Sequence, residues 1–193
     1  MTDICTGWTE CRSTWNKGAY GVIEQIKSIQ KALPFPIKGF DCDNGSEFFN
    51  WHLLRYFQNS KQPIHFTRSR PYHSNDNAHV EQKNWSCVRQ LFGYDRFADP
   101  RLVKLMNDLY ANEFCLITNF FYPTLKLKSK SRVGSKWVKK YSKPITPAQR
   151  LIDHPDMPQA TRDKLTAQAK TLNPFQLQKQ IQRKLKAIFK LVR

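Results

Sequence analysis

The fold is predicted from residues 40–48, which read FDCDNGSEF. The apolar segment Ile37–Cys42 is typical of a short buried strand, and the Asn44-Gly45 pair that follows is a strong turn signal. Asp43 is therefore expected at the carboxyl end of a strand, where ligands bind in open α/β sheets. Asp41 shares the face of Asp43 if the strand persists. The alternative is a plain turn at residues 43–45.

Strands and helices alternate on both sides of this stretch. Two short strands, 2–5 and 8–15, are predicted around a turn at Thr6-Gly7. Apolar spacing and breaker residues predict the remaining elements: helices over 17–33, 46–58, 78–91 and 99–120, and a strand over 63–66. This alternation predicts an α/β layered domain over residues 1–122.

A second acidic segment, residues 75–81, reads NDNAHVE and leads from a polar loop into the start of a helix. Glu81 would then point toward whatever lies at the strand ends. Asp43 and Glu81 together could bind Mg²⁺, which takes few protein carboxylates and leaves room for water and phosphate. The alternative is that Glu81 is a solvated helix residue or a partner of the helix dipole. His79 is interpreted as a surface residue.

The charge of the chain is unevenly distributed. The 193 residues carry a formal net charge of +17, of which residues 1–122 contribute +2 and residues 123–193 contribute +15. A near-neutral first part is typical of an ordinary globular surface. The excess in the last part indicates a polyanionic partner such as nucleic acid. We therefore predict a separate, basic, mostly helical C-terminal region over residues 123–193.

Seven of these cations lie within 15 residues and have Trp137 and Tyr141 among them. They are Lys126, Lys128, Lys130, Arg132, Lys136, Lys139 and Lys140. Lys and Arg can neutralise phosphates while aromatic rings pack on sugars or bases, which predicts nucleic-acid binding. The alternative is a solvated basic linker. Arg68 and Arg70, beside the polar loop, are further candidate phosphate contacts.

Other features exclude several classes of protein. The five cysteines are scattered and form no CxxC pair, which disfavours a structural zinc site and favours free thiols in a reducing compartment. No apolar run is long enough to span a membrane, and the start has no basic segment typical of a signal peptide. We expect a cytoplasmic protein. The last helix, from Pro174, has an apolar stripe suited to packing or to formation of a homo-oligomer.

Two motifs together resemble a known family. Residues 40–48 resemble the second acidic motif of the retroviral-type integrase catalytic core, and residues 71–84, PYHSNDNAHVEQKN, resemble its third. Asp43 and Glu81 are 38 residues apart, close to the spacing typical of that core. Residues 2–10, TDICTGWTE, resemble its second and third strands. Further resemblance to bacterial insertion-sequence transposases covers three segments: 88–97, 120–123 and 127–141.

The resemblance implies a fold, a chemistry and a partner. The fold is RNase H-like, and its catalytic site is a triad of Asp, Asp and Glu that holds two Mg²⁺ or Mn²⁺ ions. Asp43 matches the second acid and Glu81 the third, both as catalytic residues and as metal ligands. Such enzymes cleave a phosphodiester and join the freed 3′-OH to a target strand, so the implied partner is DNA, both element ends and target, in the bacterial nucleoid.

The first acid of the triad has no match, because it would precede the position matched by Thr2. Asp3 lies near a turn and out of register, and Asp41 is about 6.6 Å along the strand from Asp43. We therefore expect a core without its first strand, catalytically impaired, from a truncated, frameshifted or mis-started transposase gene. Two other functions stay open: a non-catalytic, basic nucleic-acid-binding protein, and an RNase H-like nuclease acting on RNA.

Overall fold

The computed structural model describes residues 1–16, 18–43, 45, 51–59, 64–70 and 78–192, with only the backbone of residues 78–80. These residues form a mixed α/β structure, as the sequence predicts. The strands are β1 Gly39–Cys42, β2 His65–Arg68, β3 Leu127–Val133 and β4 Lys136–Tyr141. The α-helices are α1 Ala19–Ala32, α2 Trp51–Gln58, α3 Ala78–Asn84, α4 Gln90–Phe92, α5 Arg101–Leu109, α6 Cys115–Phe121, α7 Pro147–Ile152, α8 Gln159–Thr171 and α9 Pro174–Val192.

The chain divides into two compact units. Unit 1 comprises Met1–Glu10 and Leu109–Gln182, and unit 2 comprises Cys11–Asp108 and Arg183–Arg193. Each unit is therefore assembled from segments that are distant in sequence. The boundary predicted at residue 122 stays a prediction.

Unit 2 contains the parallel pair β1–β2, joined through α2. Gly39 lies opposite His65, and the register continues to Cys42 opposite Arg68. Side chains of β1 alternate, so that Phe40 and Cys42 are buried while Gly39 and Asp41 are exposed. The ring centroid of Phe40 is 4.8 Å from that of Phe57 on α2, which is fully buried. This packing fixes the carboxyl end of β1, and with it Asp43.

The predicted helices over 78–91 and 99–120 both form, and each contains one π-helical turn. Trp85–Arg89 joins α3 to α4, and Tyr110–Phe114 joins α5 to α6. A π turn inserts an extra residue into the helix and so shifts the side chains that follow it around the axis. The predicted helix over 17–33 is confirmed as α1. Lys17, the first residue of the predicted range, lies outside the described residues.

The N-terminal segment of unit 1 forms a tight turn. Thr2 bridges Thr9 in antiparallel fashion, and Gly7 has a φ of 84° that favours glycine. Asp3 Oδ2 closes the turn by accepting hydrogen bonds from the backbone N and the Oγ1 of Thr6, both at 2.6 Å. Asp3 therefore serves the turn.

The predicted strand over 8–15 is wrong beyond Thr9. The backbone N of Thr9 donates to Asn119 Oδ1 (2.8 Å), and Asn119 Nδ2 donates to Thr9 O (2.9 Å). A side-chain amide on α6 thus satisfies the backbone groups that a neighbouring strand would otherwise pair. Residues 10–14 have no regular secondary structure.

A buried carboxylate also belongs to this part of unit 1. Glu10 is 2% exposed, and its Oε1 accepts hydrogen bonds from Trp8 Nε1 (3.2 Å) and Cys115 Sγ (2.9 Å). Burying a carboxylate is costly unless donors replace water. Cys115 therefore links the N-terminal segment to α6, while Trp8 satisfies the same oxygen from within the segment.

The C-terminal part of unit 1 contains the antiparallel hairpin β3–β4, which was not predicted, followed by α7, α8 and the first part of α9. Below the hairpin, Thr124 bridges Ile145, and the Arg150 guanidinium on α7 donates to Oγ1 and O of Thr124. The predicted last helix is confirmed as α9, whose first turn is capped by Asn173 Oδ1 accepting from Phe175 N at 2.9 Å. No helix in the described part of the chain is long and apolar enough to cross a membrane.

Candidate functional site

The carboxyl ends of β1 and β2 lie side by side and are tied together. Cys42 is opposite Arg68, and the next residue, Ser69, donates to Cys42 O from its backbone N (3.0 Å) and its Oγ (3.3 Å). Ser69 is buried, so this double contact is shielded from water. Asp43 follows on one strand and Arg70 on the other, which brings an acid and two arginines to one edge of the sheet.

Asp43 is half-buried and begins a turn. Its Oδ1 accepts a hydrogen bond from the backbone N of Gly45 at 3.0 Å, an arrangement known as an Asx turn. The turn that the sequence offered as the alternative is therefore formed. Asp43, the predicted metal ligand, is the first residue of this turn. An ionised carboxylate has about four acceptor positions, so one backbone contact does not use up its capacity. Asn44 and residues 46–50 lie outside the described residues.

The charges at this edge act on a buried thiol. The pKa of the Cys42 thiol is raised to about 11, chiefly by burial and in addition by the neighbouring carboxylates of Asp43 and Asp41, while Arg68 opposes them. A thiolate is disfavoured where the surroundings are apolar and negative. Cys42 is therefore expected to stay a neutral thiol within the packed face of the sheet.

Asp41 has a hydrogen-bond partner on the neighbouring strand. It lies on the exposed face of β1, and its Oδ1 accepts a hydrogen bond from Thr67 Oγ1 on β2 at 2.6 Å. Asp43 comes after the last residue of β1, in the turn. The structure thus gives Asp41 a cross-strand partner, and the prediction that Asp43 is the acid at the strand end is unchanged.

Glu81 lies in the first turn of α3 and is exposed. The polar loop before it is predicted over residues 68–77, but Arg68 is the last residue of β2. Residues 71–77 and the side chain of His79 lie outside the described residues. Asp43 and Glu81 both belong to unit 2. Arg68 and Arg70 are exposed in the same unit.

A metal site can be tested against these donors. Two carboxylates suit a single Mg²⁺, which commonly binds one or two of them together with phosphate and water. A pair of ions needs a further bridging carboxylate. In the described ranges no group of three or more His, Cys, Asp or Glu residues could hold a metal ion. The described donors therefore do not fit the two-ion site that the family resemblance implies.

The predicted nucleic-acid-binding cations lie in unit 1, on or beside the hairpin. Lys128, Lys130 and Arg132 are on β3, and Lys136, Lys139 and Lys140 are on β4. Every residue of both strands is exposed. Lys126 precedes β3, and its Nζ donates to Ile4 O at 2.6 Å, so this lysine helps to hold the hairpin base.

The register of the hairpin separates its side chains into two faces. Arg132 is opposite Trp137, and Lys130 is opposite Lys139. Since alternate residues of a strand share a face, Tyr141 lies on the side of Trp137 and Lys139. We call Lys130, Arg132, Trp137, Lys139 and Tyr141 the cation–aromatic face.

The other side, which we call the opposite face, has no aromatic residue. It comprises Ser129, Ser131, Val133, Lys136, Val138 and Lys140. The contact between Lys130 Nζ and the Trp137 ring, at 4.4 Å from the centroid, agrees with this assignment. The predicted cations are therefore divided between two chemically different surfaces.

Two residues at the sheet edge were not predicted from the sequence. Ser69 joins the strand ends, and Thr67 donates to Asp41. The signal was the run Thr67-Arg68-Ser69-Arg70, in which small hydroxyl residues alternate with arginines. In a strand, such alternation places hydroxyls on one side and arginines on the other.

Comparisons with known proteins give one informative similarity. The chain is 39% identical over 150 residues to an uncharacterized protein of Sinorhizobium fredii, y4rM. The matched segment covers 78% of this chain and 42% of that protein, so the chain spans less than half the length of its relative. No protein-family model matches the chain, and no solved structure matches it.

Proposed function

We propose that this chain belongs to the DNA strand-transfer machinery of a bacterial mobile element, with an RNase H-like, integrase-type core. On this proposal the core, predicted over residues 1–122, handles DNA phosphodiesters, and the basic region binds element ends and target DNA. The protein would then work at the bacterial nucleoid. The motifs of residues 40–48 and 71–84 carry the family assignment.

One structural observation supports the proposal above the others. Asp43 follows β1 at the carboxyl edge of the parallel pair β1–β2, where Cys42 lies opposite Arg68. Parallel strands joined through a helix bind ligands at this edge. An acid and arginines at one edge of a sheet suit a metal-assisted site for a phosphodiester, because the cations can contact the phosphate while the carboxylate holds a metal ion.

The roles follow from this placement. Asp43 and Glu81 would hold one Mg²⁺ or Mn²⁺ ion, which would polarise a phosphodiester oxygen when bound. Arg68 and Arg70 would orient the phosphate. Because the described residues supply no bridging carboxylate, we expect strand transfer by this chain alone to be weak; misplacement by about 1 Å costs on the order of 100-fold in rate.

Strand transfer in vitro tests the proposal. The chain is incubated with Mn²⁺ and a DNA carrying a free 3′-OH end, and joined products are quantified. We expect a small yield from the wild type and none above background from Glu81→Gln or Asp43→Asn. Asn at position 43 can still accept from Gly45 N, so this variant removes charge while keeping the turn.

Glu24→Gln is the matched control, because Glu24 is an exposed carboxylate on α1 of the same unit. It should leave the yield unchanged. Equal background in all four proteins would contradict the enzymatic proposal. Loss in Glu24→Gln as well would show that general charge, and not Asp43 or Glu81, sets the yield.

A second function, a non-catalytic nucleic-acid-binding protein, is favoured by the hairpin. Its 15 residues from 127 to 141 contain six cations and no acid, and all residues of its strands are exposed. This function predicts DNA binding that is indifferent to Mn²⁺ and to Glu81→Gln. The strand-transfer proposal predicts that both matter for product formation.

A further inference from the structure

The two faces of the hairpin β3–β4 differ in what they offer a ligand. The cation–aromatic face presents three cations and two aromatic rings, whereas the opposite face presents two lysines among small or aliphatic side chains. Trp137 is 56% exposed and Tyr141 is 51% exposed. Large aromatic residues normally bury most of their area. Two half-exposed aromatic rings on the cation–aromatic face indicate a binding surface.

The spacing of these side chains suits a linear polyanion. Trp137 and Tyr141 are four residues apart on one strand, which places them about 13 Å apart along the ribbon. Lys139 lies between them, and Arg132 and Lys130 lie across from Trp137 and Lys139. Rings and cations therefore alternate over the face. The charge is complementary to a phosphate backbone, and the strands contain no acid to weaken it.

The rings distinguish unpaired from paired nucleic acid. In a duplex the faces of the bases are covered by stacking and only their edges are accessible in the grooves. In a single strand the base faces are available, and stacking on aromatic side chains together with cations beside the backbone is the usual mode of binding. A surface that contacted duplex phosphates alone would need the cations but not the rings.

We propose that the cation–aromatic face binds single-stranded DNA. Trp137 and Tyr141 stack with unpaired bases, and Lys130, Arg132 and Lys139 contact the phosphates. This inference deepens the proposed function and rests on it only for the choice of DNA as the polymer. The partner is a DNA strand with unpaired bases, such as a frayed end.

The test compares neighbouring residues on opposite faces. The full chain is titrated into a fluorescent oligothymidine of about 20 nucleotides, and into a duplex of equal length, at one salt concentration. Trp137→Ala should weaken single-strand binding about 5- to 160-fold, the range expected for loss of one stacking residue. Duplex binding should change less than about 3-fold. Val138→Ala, on the opposite face, should change either affinity less than about 2-fold.

Trp137→Phe provides the rescue, since a smaller ring still stacks. It should recover most of the single-strand affinity. Circular dichroism of each variant checks folding, and because Trp137 is exposed its truncation should leave the spectrum unchanged. Equal losses for Trp137→Ala and Val138→Ala, equal losses on single strand and duplex, or absence of single-strand binding would each overturn the proposal.

Failure of this inference can be separated from failure of the proposed function. Glu24→Gln, at an exposed carboxylate of unit 2 that belongs to neither proposed site, should bind the oligothymidine like the wild type. If strand transfer is absent but Trp137→Ala weakens single-strand binding selectively, the strand-transfer proposal fails and the hairpin assignment stands. If strand transfer depends on Glu81 while Trp137→Ala has no selective effect, the hairpin assignment fails and the strand-transfer proposal stands.

Discussion

The two small sheets of this protein place their charged residues in contrasting ways. The parallel pair β1–β2 is buried on one side by Phe40, Cys42 and Phe57, and Asp43, Arg68 and Arg70 lie at or just beyond its carboxyl ends. The hairpin β3–β4 is exposed on both sides, and its cations are spread along its whole length.

The difference shows how each sheet can be used. A sheet with a packed face holds a few groups at fixed positions, because the aromatic core behind them restricts the backbone. An isolated two-stranded ribbon is marginally stable in water and gains little from burial. The ribbon here is fastened at its base by the Thr124–Ile145 bridge and by Arg150. We therefore expect a fixed position for Asp43 and a more adaptable surface along the hairpin.

Phe57→Ala is expected to have the largest effect on the packed sheet β1–β2. Its side chain is fully buried, with its ring centroid 4.8 Å from that of Phe40 and 5.9 Å from that of Phe66. Phe57→Ala removes this ring and leaves a cavity, so we expect the free energy of unfolding to fall by about 3–5 kcal/mol. Denaturant unfolding followed by circular dichroism measures the loss.

Trp51→Ala on the same helix is the control, since Trp51 is 74% exposed. Its cost should stay near 0.5 kcal/mol, the scale of surface substitutions. Trp137→Ala on the hairpin should behave like this control. A cost for Trp137→Ala similar to that of Phe57→Ala would show that the hairpin is packed, and the contrast between the two sheets would be lost.

Much of unit 2 could be predicted from local pattern. The apolar spacing of α1 and the run Ile37–Cys42 followed by Asn-Gly located a helix and a strand within about two residues. Asp43 was expected at a strand end and lies there. These features depend on period and on turn chemistry, which neighbouring residues determine. The roles of Asp43 and Glu81 stay predictions.

The remainder depends on contacts between distant segments. Glu10 resembles a surface acid in sequence, yet it is buried because Trp8 and Cys115 donate to it. The strand expected over 8–15 stops because Asn119, 110 residues away, pairs with Thr9. The π turns were also missed, since an inserted residue leaves the apolar spacing nearly helical. The segregation of Trp137 and Tyr141 from Val138 required the strand register.

The raised pKa of Cys42 predicts how the stability of the packed sheet depends on pH. Burial, then Asp43 and Asp41, raise the pKa of this thiol from 9.0 to about 11. Folding therefore favours the neutral thiol, and the stabilisation is complete below pH 9 and is lost as pH rises to about 11. Two pKa units correspond to about 2–3 kcal/mol. Urea unfolding at a series of pH values measures this loss.

Cys42→Ala isolates the contribution, because other groups also titrate in this range. The variant should be less stable at pH 8 but lose less stability than the wild type between pH 9 and 11. Asp43→Asn should show a smaller loss than the wild type, since one of the charges that raises the thiol pKa is gone. Parallel curves for the wild type and Cys42→Ala would contradict the electrostatic description of this edge.

The smallest effect concerns the two faces of the hairpin. Lys130→Gln with Lys139→Gln removes two charges from the cation–aromatic face, and Lys136→Gln with Lys140→Gln removes two from the opposite face. If only the first pair contacts phosphates, the slope of log affinity against log salt for single-stranded DNA should fall by about 1.4 in that double variant. Over a fourfold rise in salt this amounts to about 7-fold, or about 1.2 kcal/mol. The opposite-face variant has the same net charge, so a long-range field would lower both slopes alike. A difference between the two slopes would therefore show that phosphates lie against one face, as the exposed rings on that face predict.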